Sequence, residues 1–148
     1  MDTSEIKAVI QRYFDAGFDC DGGKIREVFH SAAHVYGVDE AGALRDRDRE
    51  TFAGIVETPK LPYPRQDEIL PIDFLGEDTD VARVRTRIGD VMYTDNLSFL
   101  RLDGKWTIIS KIASGKPANL HSFMVDGEHI VQCNDATSRP AYSAGTEY

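Results

Sequence analysis

Apolar residues in the first part of the chain recur at helical spacing. Ile6, Val9, Ile10, Tyr13 and Phe14 fall at i, i+3, i+4, i+7 and i+8, one stripe of an amphipathic helix over residues 3–17. Asp2 with Glu5 three residues later reads as a capping box, and Gly17 as the stop. DCDGGK is a turn, and a short second helix follows with Ile25, Val28 and Phe29 facing inward. AHVYGV (33–38) alternates as a short strand, and DEAGALRD reads as a loop. A third helix is predicted over 47–56, with Phe52, Ile55 and Val56 on one side. Past PYPRQ, where two prolines hold the chain extended, the apolar period changes to two. Strands are predicted at about 66–75, 79–89, 91–102 and 105–114. Helices first and a run of strands second predict an α+β fold with three N-terminal helices on an antiparallel sheet.

The last two of these strands, VMYTDNLSFLRLDGKWTIISKI (91–112), are joined by Asp103-Gly104, which suits a two-residue type I′ turn. That register sets Leu102 against Lys105, Arg101 against Trp106, Phe99 against Ile108 and Asp95 against Ile112. One face then collects Tyr93, Asp95, Leu97, Phe99, Trp106, Ile108 and Ile112. It is the core face because it holds the large aromatics, with Arg101 placed for a cation–π contact on Trp106. The other face collects Thr94, Asn96, Ser98, Leu100, Thr107, Ile109 and Lys111. A one-residue bulge would exchange the faces beyond it. The outer face mixes apolar and polar groups, which suits either a homodimer through Asn96, Ser98, Leu100 and Ile109 or an ordinary solvated surface.

Composition narrows the function classes. A chain of 148 residues suits one core, and 41% hydrophobic with 28% charged residues is ordinary for a globular protein. The net charge of −8 repels phosphate backbones and anionic lipid, so neither nucleic acid nor membrane is an expected partner. Cys20 and Cys133 match no CxxC spacing and read as free thiols in a reducing cytoplasm. The acidic N-terminus, without a long apolar run, is unlike a Sec signal peptide, and no stretch reaches the roughly 20 apolar residues that span a bilayer. From residue 116 the pattern fades: SFMVDGEHIVQC could form a hairpin at Asp126-Gly127, and the end reads as irregular or docked on a partner.

The element order resembles the nuclear-transport-factor-2-like, cystatin-like cone. The strings VIQRYFDAGFDCDGGKIREVFHSAAHVYG and YTDNLSFLRLDGKWTIISK resemble its bacterial putative lumazine-binding branch. There, a helix ending in Tyr and Gly precedes Phe-His, and the late hairpin reads Tyr-Thr-Asp, Asp-Gly-Lys-Trp and Lys. The resemblance covers about residues 4–114, so residues 1–115 are read as the domain and 116–148 as an extension. It implies a strongly curved sheet wrapped around the first helix, with a pocket at the cone's mouth. Relatives of this fold include ketosteroid isomerases, scytalone dehydratase and polyketide cyclases beside non-enzymatic proteins, and fold alone does not choose among them.

The candidate site follows from the residues that this arrangement gathers. Asp95 is a carboxylate on a core face, costly there unless paired or hydrogen-bonded. It serves either acid–base chemistry with a raised pKa or a structural bond to donors. Tyr13 is either a core tyrosine or, as the resemblance to the isomerases implies, a hydrogen-bond donor to a developing oxyanion. The isomerases' first-strand aspartate has no counterpart in HVYGV, which argues against steroid-isomerase chemistry. His34 or His30 could pair with Asp95 as a dyad, although a histidine at a helix C-terminus also suits the dipole. Phe14, His30, Tyr36, Tyr93 and Trp106 are the expected ligand-contacting residues, for a small apolar or aromatic molecule. The histidines at 30, 34, 121 and 129 have no metal spacing, and neither a metal nor a cofactor is expected. Arg83, Arg85 and Arg87 share one strand face, as an anion clamp or as a solvated row. The reading is a ligand-binding module; the alternative is a cofactor-independent isomerase, dehydratase or cyclase using Asp95 or a histidine with Tyr13.

Overall fold

The computed structural model describes residues 2–118. Helix α1 (Ser4–Asp19) buries the predicted stripe, with Ile6, Ile10, Tyr13 and Phe14 inside and Val9 at the core's edge. Its two ends differ from expectation. Asp2 accepts from the Ser4 amide and hydroxyl, and no side-chain cap bond closes on the helix. The helix also runs through Gly17, which is buried on the packed stripe, and ends at Cys20 in a left-handed conformation, φ 55°. Helix α2 (Gly22–Val28) is capped by Asp21, whose carboxylate accepts from the Lys24 amide at 3.1 Å.

Strand β1 (Phe29–Val38) begins four residues before the predicted strand and takes in Phe29, which the sequence placed on a helix. Strand β2 (Leu44–Asp48) occupies ground read as loop and as the start of a helix. Its sequence, LRDRD, has no apolar alternation, so it carries no period-two signal, and antiparallel pairing to β1 makes it a strand. Asp48 then caps α3 (Arg49–Val56), accepting from the Thr51 amide at 2.8 Å. The remaining strands are β3 (Asp67–Phe74), β4 (Thr79–Ile88), β5 (Val91–Leu102) and β6 (Lys105–Pro117).

All six strands form one curved, unclosed sheet in the order β2-β1-β6-β5-β4-β3. The expectation of a purely antiparallel sheet is corrected here. β1 runs parallel to β6, because the chain leaves the first hairpin and returns through α3 and three strands before it reaches β1 again. The fold is otherwise the expected α+β cone. Leu97, Phe99 and Trp106 lie in the core with the α1 stripe and with Phe29 and Phe52.

The β5–β6 hairpin holds the main departure. Its turn is as predicted, with positive φ at Asp103 (52°) and Gly104 (76°). The expected register holds from Leu102–Lys105 to Phe99–Ile108 and then shifts by one. Ser98 faces Ser110, and Ile109 is left over as a bulge. Beyond it every β6 side chain changes face. Lys111, expected outside, is 1% exposed, and Ile112, expected in the core, is 57% exposed. Asp95 therefore faces Ala113. The tail hairpin at Asp126-Gly127 lies outside the described residues, and so does Cys133. Among the described residues no helix is long and apolar enough to cross a membrane.

Candidate functional site

Asp95 stands in the middle of β5, between Val84 of β4 and Ala113 of β6, and is fully buried. The α1 stripe brings Tyr13 over it, and the Tyr13 hydroxyl donates to Asp95 Oδ2. The bulge brings Lys111 to the same place. Its Nζ donates to the Tyr13 hydroxyl at 2.8 Å and lies 3.9 Å from Asp95 Oδ2. The ammonium also sits 4.2 Å from the centre of the Phe52 ring, a cation–π contact from α3. Asp95 Oδ1 is buried and has no hydrogen-bond partner among the described residues.

Burial dominates the charges of this group. It pushes the Asp95 carboxyl above the usual carboxylate range, against the pull of Lys111 and the Tyr13 hydrogen bond. It also pushes the Lys111 ammonium down to about 8, against the pull of Asp95. Arg47 adds to that lowering, since it stands in the same cross-strand row, Arg47–Val35–Lys111–Leu97. Either charge would be costly alone, and each is tolerated through the other. The arrangement can hold a proton between an acid, a phenol and an amine, and it leaves one acceptor oxygen open.

The other sequence candidates lie in several places. Phe14 is 3% exposed beside Tyr13, ring centres 6.0 Å apart. Tyr93 is buried two residues before Asp95, its ring packed against Gly115, where an added Cβ would come within 2.8 Å of it. Trp106 is buried opposite Arg101, six residues further along β5 from Asp95, and takes the expected cation–π contact at 5.5 Å. His34 and Tyr36 alternate with buried Ala33 and Val35, so they stand on the outer face, their rings stacked 5.9 Å apart. His34 Nδ1 is 2.6 Å from Asp46 Oδ1, not beside Asp95. His30 is a strand residue, its Nδ1 accepting from the Ala32 amide at 2.9 Å, rather than a helix C-terminal group. The arginine row is divided: Arg83 and Arg85 are exposed, Arg85 3.5 Å from Glu68. Arg87 is buried and donates to the Gly89 carbonyl and to Gln66.

Sequence reasoning missed two groups. Lys111 was placed outside, and only the bulge brings it in. The second is Asp80. It is 1% exposed in β4, and no side chain among the described residues hydrogen-bonds either carboxylate oxygen. The Val81 amide offsets only part of the burial cost, Asp73 adds repulsion, and the acid is pushed up to about 6. Its signal was available in principle: Asp80 alternates with Ala82 and Val84, so it shares their buried face.

The profile of a family described as "Putative lumazine-binding" matches residues 1–114. Among solved structures the chain is similar to an NTF2-like protein of unknown function from Shewanella baltica. Identity is 29% and the TM-score 0.72, over 77% of this chain and 93% of that one. An NTF2-like protein of unknown function from Silicibacter pomeroyi is similar at 22% identity and a TM-score of 0.70, over 78% of this chain and 100% of that one. A ketosteroid isomerase-like protein from Erwinia carotovora shares the fold at 13% identity and a TM-score of 0.61, over 76% and 94% of the two chains. No curated protein matches.

Proposed function

Because the chain belongs to the family described as "Putative lumazine-binding", within the NTF2-like superfamily, we propose that it is a small-molecule binding module whose site is built on Asp95. The observation that carries this reading is Asp95 Oδ1, a buried acceptor with no partner among the described residues. Buried acceptors are rarely left open, and a ligand N–H or O–H would complete this one. Tyr13 donates to the other oxygen and fixes the carboxylate's direction, and Lys111, donating in turn to Tyr13, stands 3.9 Å away as countercharge. Phe14, packed beside Tyr13, and Tyr93, two residues before Asp95 on the same strand, are the proposed apolar surface. The ligand is then a small, flat, mostly apolar molecule with at least one donor.

Lumazine, a bicyclic dione with ring N–H groups, is the first probe, alongside other aromatic heterocycles. Isothermal titration of the full chain is expected to show saturable binding by at least one such donor heterocycle. The Asp95→Asn variant is expected to weaken it by about tenfold or more, the scale of a hydrogen bond to a charged group. Unchanged affinity in an Asn variant shown by its melt to be folded would remove Asp95 from the site.

A second reading, a cofactor-independent isomerase, dehydratase or cyclase, draws on one further observation: the Asp95 carboxyl is held above the usual range beside a phenol. Asp95 would move the proton and Tyr13 would donate to the developing oxyanion. His34 has no part in this reading, since it stands on the outer face. Uptake of deuterium from D2O into an enolisable cyclic ketone, lost in Asp95→Asn, would select this reading over simple binding.

The chain is also proposed to form a homodimer through the outer face of the sheet. Asn96, Ser98 and Leu100 stand there with the bulged Ile109. Beside them Val38, Leu44 and Ile112 are 70%, 71% and 57% exposed, a large apolar area for free solvent. Light scattering after size exclusion is expected to give twice 16.5 kDa. A single species at that monomer mass across micromolar to hundred-micromolar concentration would refute the dimer. The free thiol of Cys20 suits the reducing cytoplasm proposed as the location.

A further inference from the structure

We propose that Asp80, with the aromatic residues grouped on its face of the sheet, binds an organic ammonium group at a second site, separate from Asp95. Asp80 is the second residue of β4. It follows the loop after Phe74, where Leu75 is 69% exposed. Phe74 faces it across β3 and Phe99 faces it across β5. The Trp106 ring, from β6, lies 6.3 Å from that of Phe74 in an edge-on arrangement. β4 and β5 separate the two strands that carry these rings, so the rings meet over the row that holds Asp80 and Phe99. Asp80 thus lies near the sheet's end in one cross-strand row with Phe74 and Phe99, and the Trp106 ring packs on that of Phe74.

A carboxylate that is 1% exposed, with only the Val81 amide favouring its charge among the described residues, is a costly thing to build without a further partner. The charged groups on the surrounding elements do not supply one. Asp73 on β3 repels it. Arg101 on β5 is engaged, 3.0 Å from Asp78 in the loop and stacked on Trp106. Lys105 on β6 is exposed. The missing partner is therefore a cation or donor from outside the described residues. A hard metal ion takes six or more oxygen ligands, and no group of three His, Cys, Asp or Glu residues converges among the described residues. One carboxylate among aromatic faces suits a different cation, an alkylammonium. It would donate a charge-assisted hydrogen bond to Asp80 and lay its carbon substituents on the rings of Phe74 and Trp106.

Trp106 is the single tryptophan of the chain and belongs to the site, so its fluorescence is the reporter. The full chain is titrated at pH 7.5 with 2-phenylethylammonium and, in parallel, with the neutral isostere 2-phenylethanol. Expected is a saturable change in Trp106 emission with the ammonium, with the alcohol about tenfold or more weaker. Ammonium affinity is expected to fall by a similar factor in Asp80→Asn, checked for folding by its melt, and to fall in the wild type as pH drops below 6 and Asp80 takes up a proton. No saturable change, or equal binding of ammonium and alcohol, overturns the proposal. So does an affinity that is indifferent both to pH and to Asp80→Asn. The pH series of the wild type decides even if the variant fails to fold.

Discussion

Asp95→Asn is expected to cost roughly 3–5 kcal/mol of stability at pH 7, the scale for breaking a buried ion pair from one side. Adding Lys111→Met in the same chain is expected to return most of that loss. The single variant takes the Asp95 countercharge from a fully buried ammonium that keeps its contacts to the Tyr13 hydroxyl and the Phe52 ring. The double variant removes the second charge along with the first. pH adds a sign. The folded-state pKa of Lys111 lies near 8, below its ordinary 10.5. A base with a depressed folded pKa contributes stability that is present above its unfolded pKa and lost as pH falls through the folded one. Without Asp95 the depression deepens, so more of the loss is relieved by deprotonation at mildly alkaline pH. The deficit of Asp95→Asn should therefore shrink between pH 7 and pH 9, while the double variant shows no such trend. Urea melts of the four species at the two pH values complete the cycle. Additive losses, or a single-variant deficit that is flat with pH, would show that the two charges do not depend on each other.

Asp80→Asn should do the opposite and stabilise the protein at neutral pH. The folded carboxyl is pushed up to about 6 from an ordinary 3.8. Such a group contributes stability that is fully present below the unfolded pKa and is lost as pH rises through the folded one. A shift of about two pH units at 1.36 kcal/mol each sets the effect at about 3 kcal/mol. The gain from Asn should be near that at pH 7 and should vanish by pH 4, where wild-type Asp80 is protonated too. Asp15 and Asp48, whose carboxyls are held low by Arg65 and by the Thr51 amide, act in the other direction. They act equally in both proteins, so the difference between the two melting curves isolates Asp80. A variant less stable than wild type at pH 7 would mean that Asp80 has a partner in solution.

The sequence carried what depends on local period and missed what depends on register. The α1 stripe from Ile6 to Phe14 was readable because helical spacing repeats over several turns. The Asp103-Gly104 turn was readable because two adjacent residues with positive φ demand that pair. β2 was not readable, since in LRDRD it is backbone pairing, not side-chain burial, that holds the strand. The site was legible by halves. Tyr13 and Asp95 follow from periods of 3.6 and 2 on either side of one core. Lys111 does not, because its direction is set by the bulge at Ile109, and no bulge residue there is a glycine that would mark it. Asp80 is one acid among 25 acidic residues in the sequence, on a strand whose Arg83 and Arg85 mark the opposite, exposed face.

The bulge has a consequence for how this protein compares with its relatives. The amine in the core is there by count rather than by kind. Pair the same letters across the hairpin without the bulge at Ile109, and Ile112 returns to the interior while Lys111 goes to the surface. Two homologues could then share the string Trp-Thr-Ile-Ile-Ser-Lys-Ile letter for letter. One would hold an ion pair against Tyr13 and the other a dry aliphatic patch. Column-by-column alignment would score them as identical, and the spacing of the hairpin would be what tells them apart.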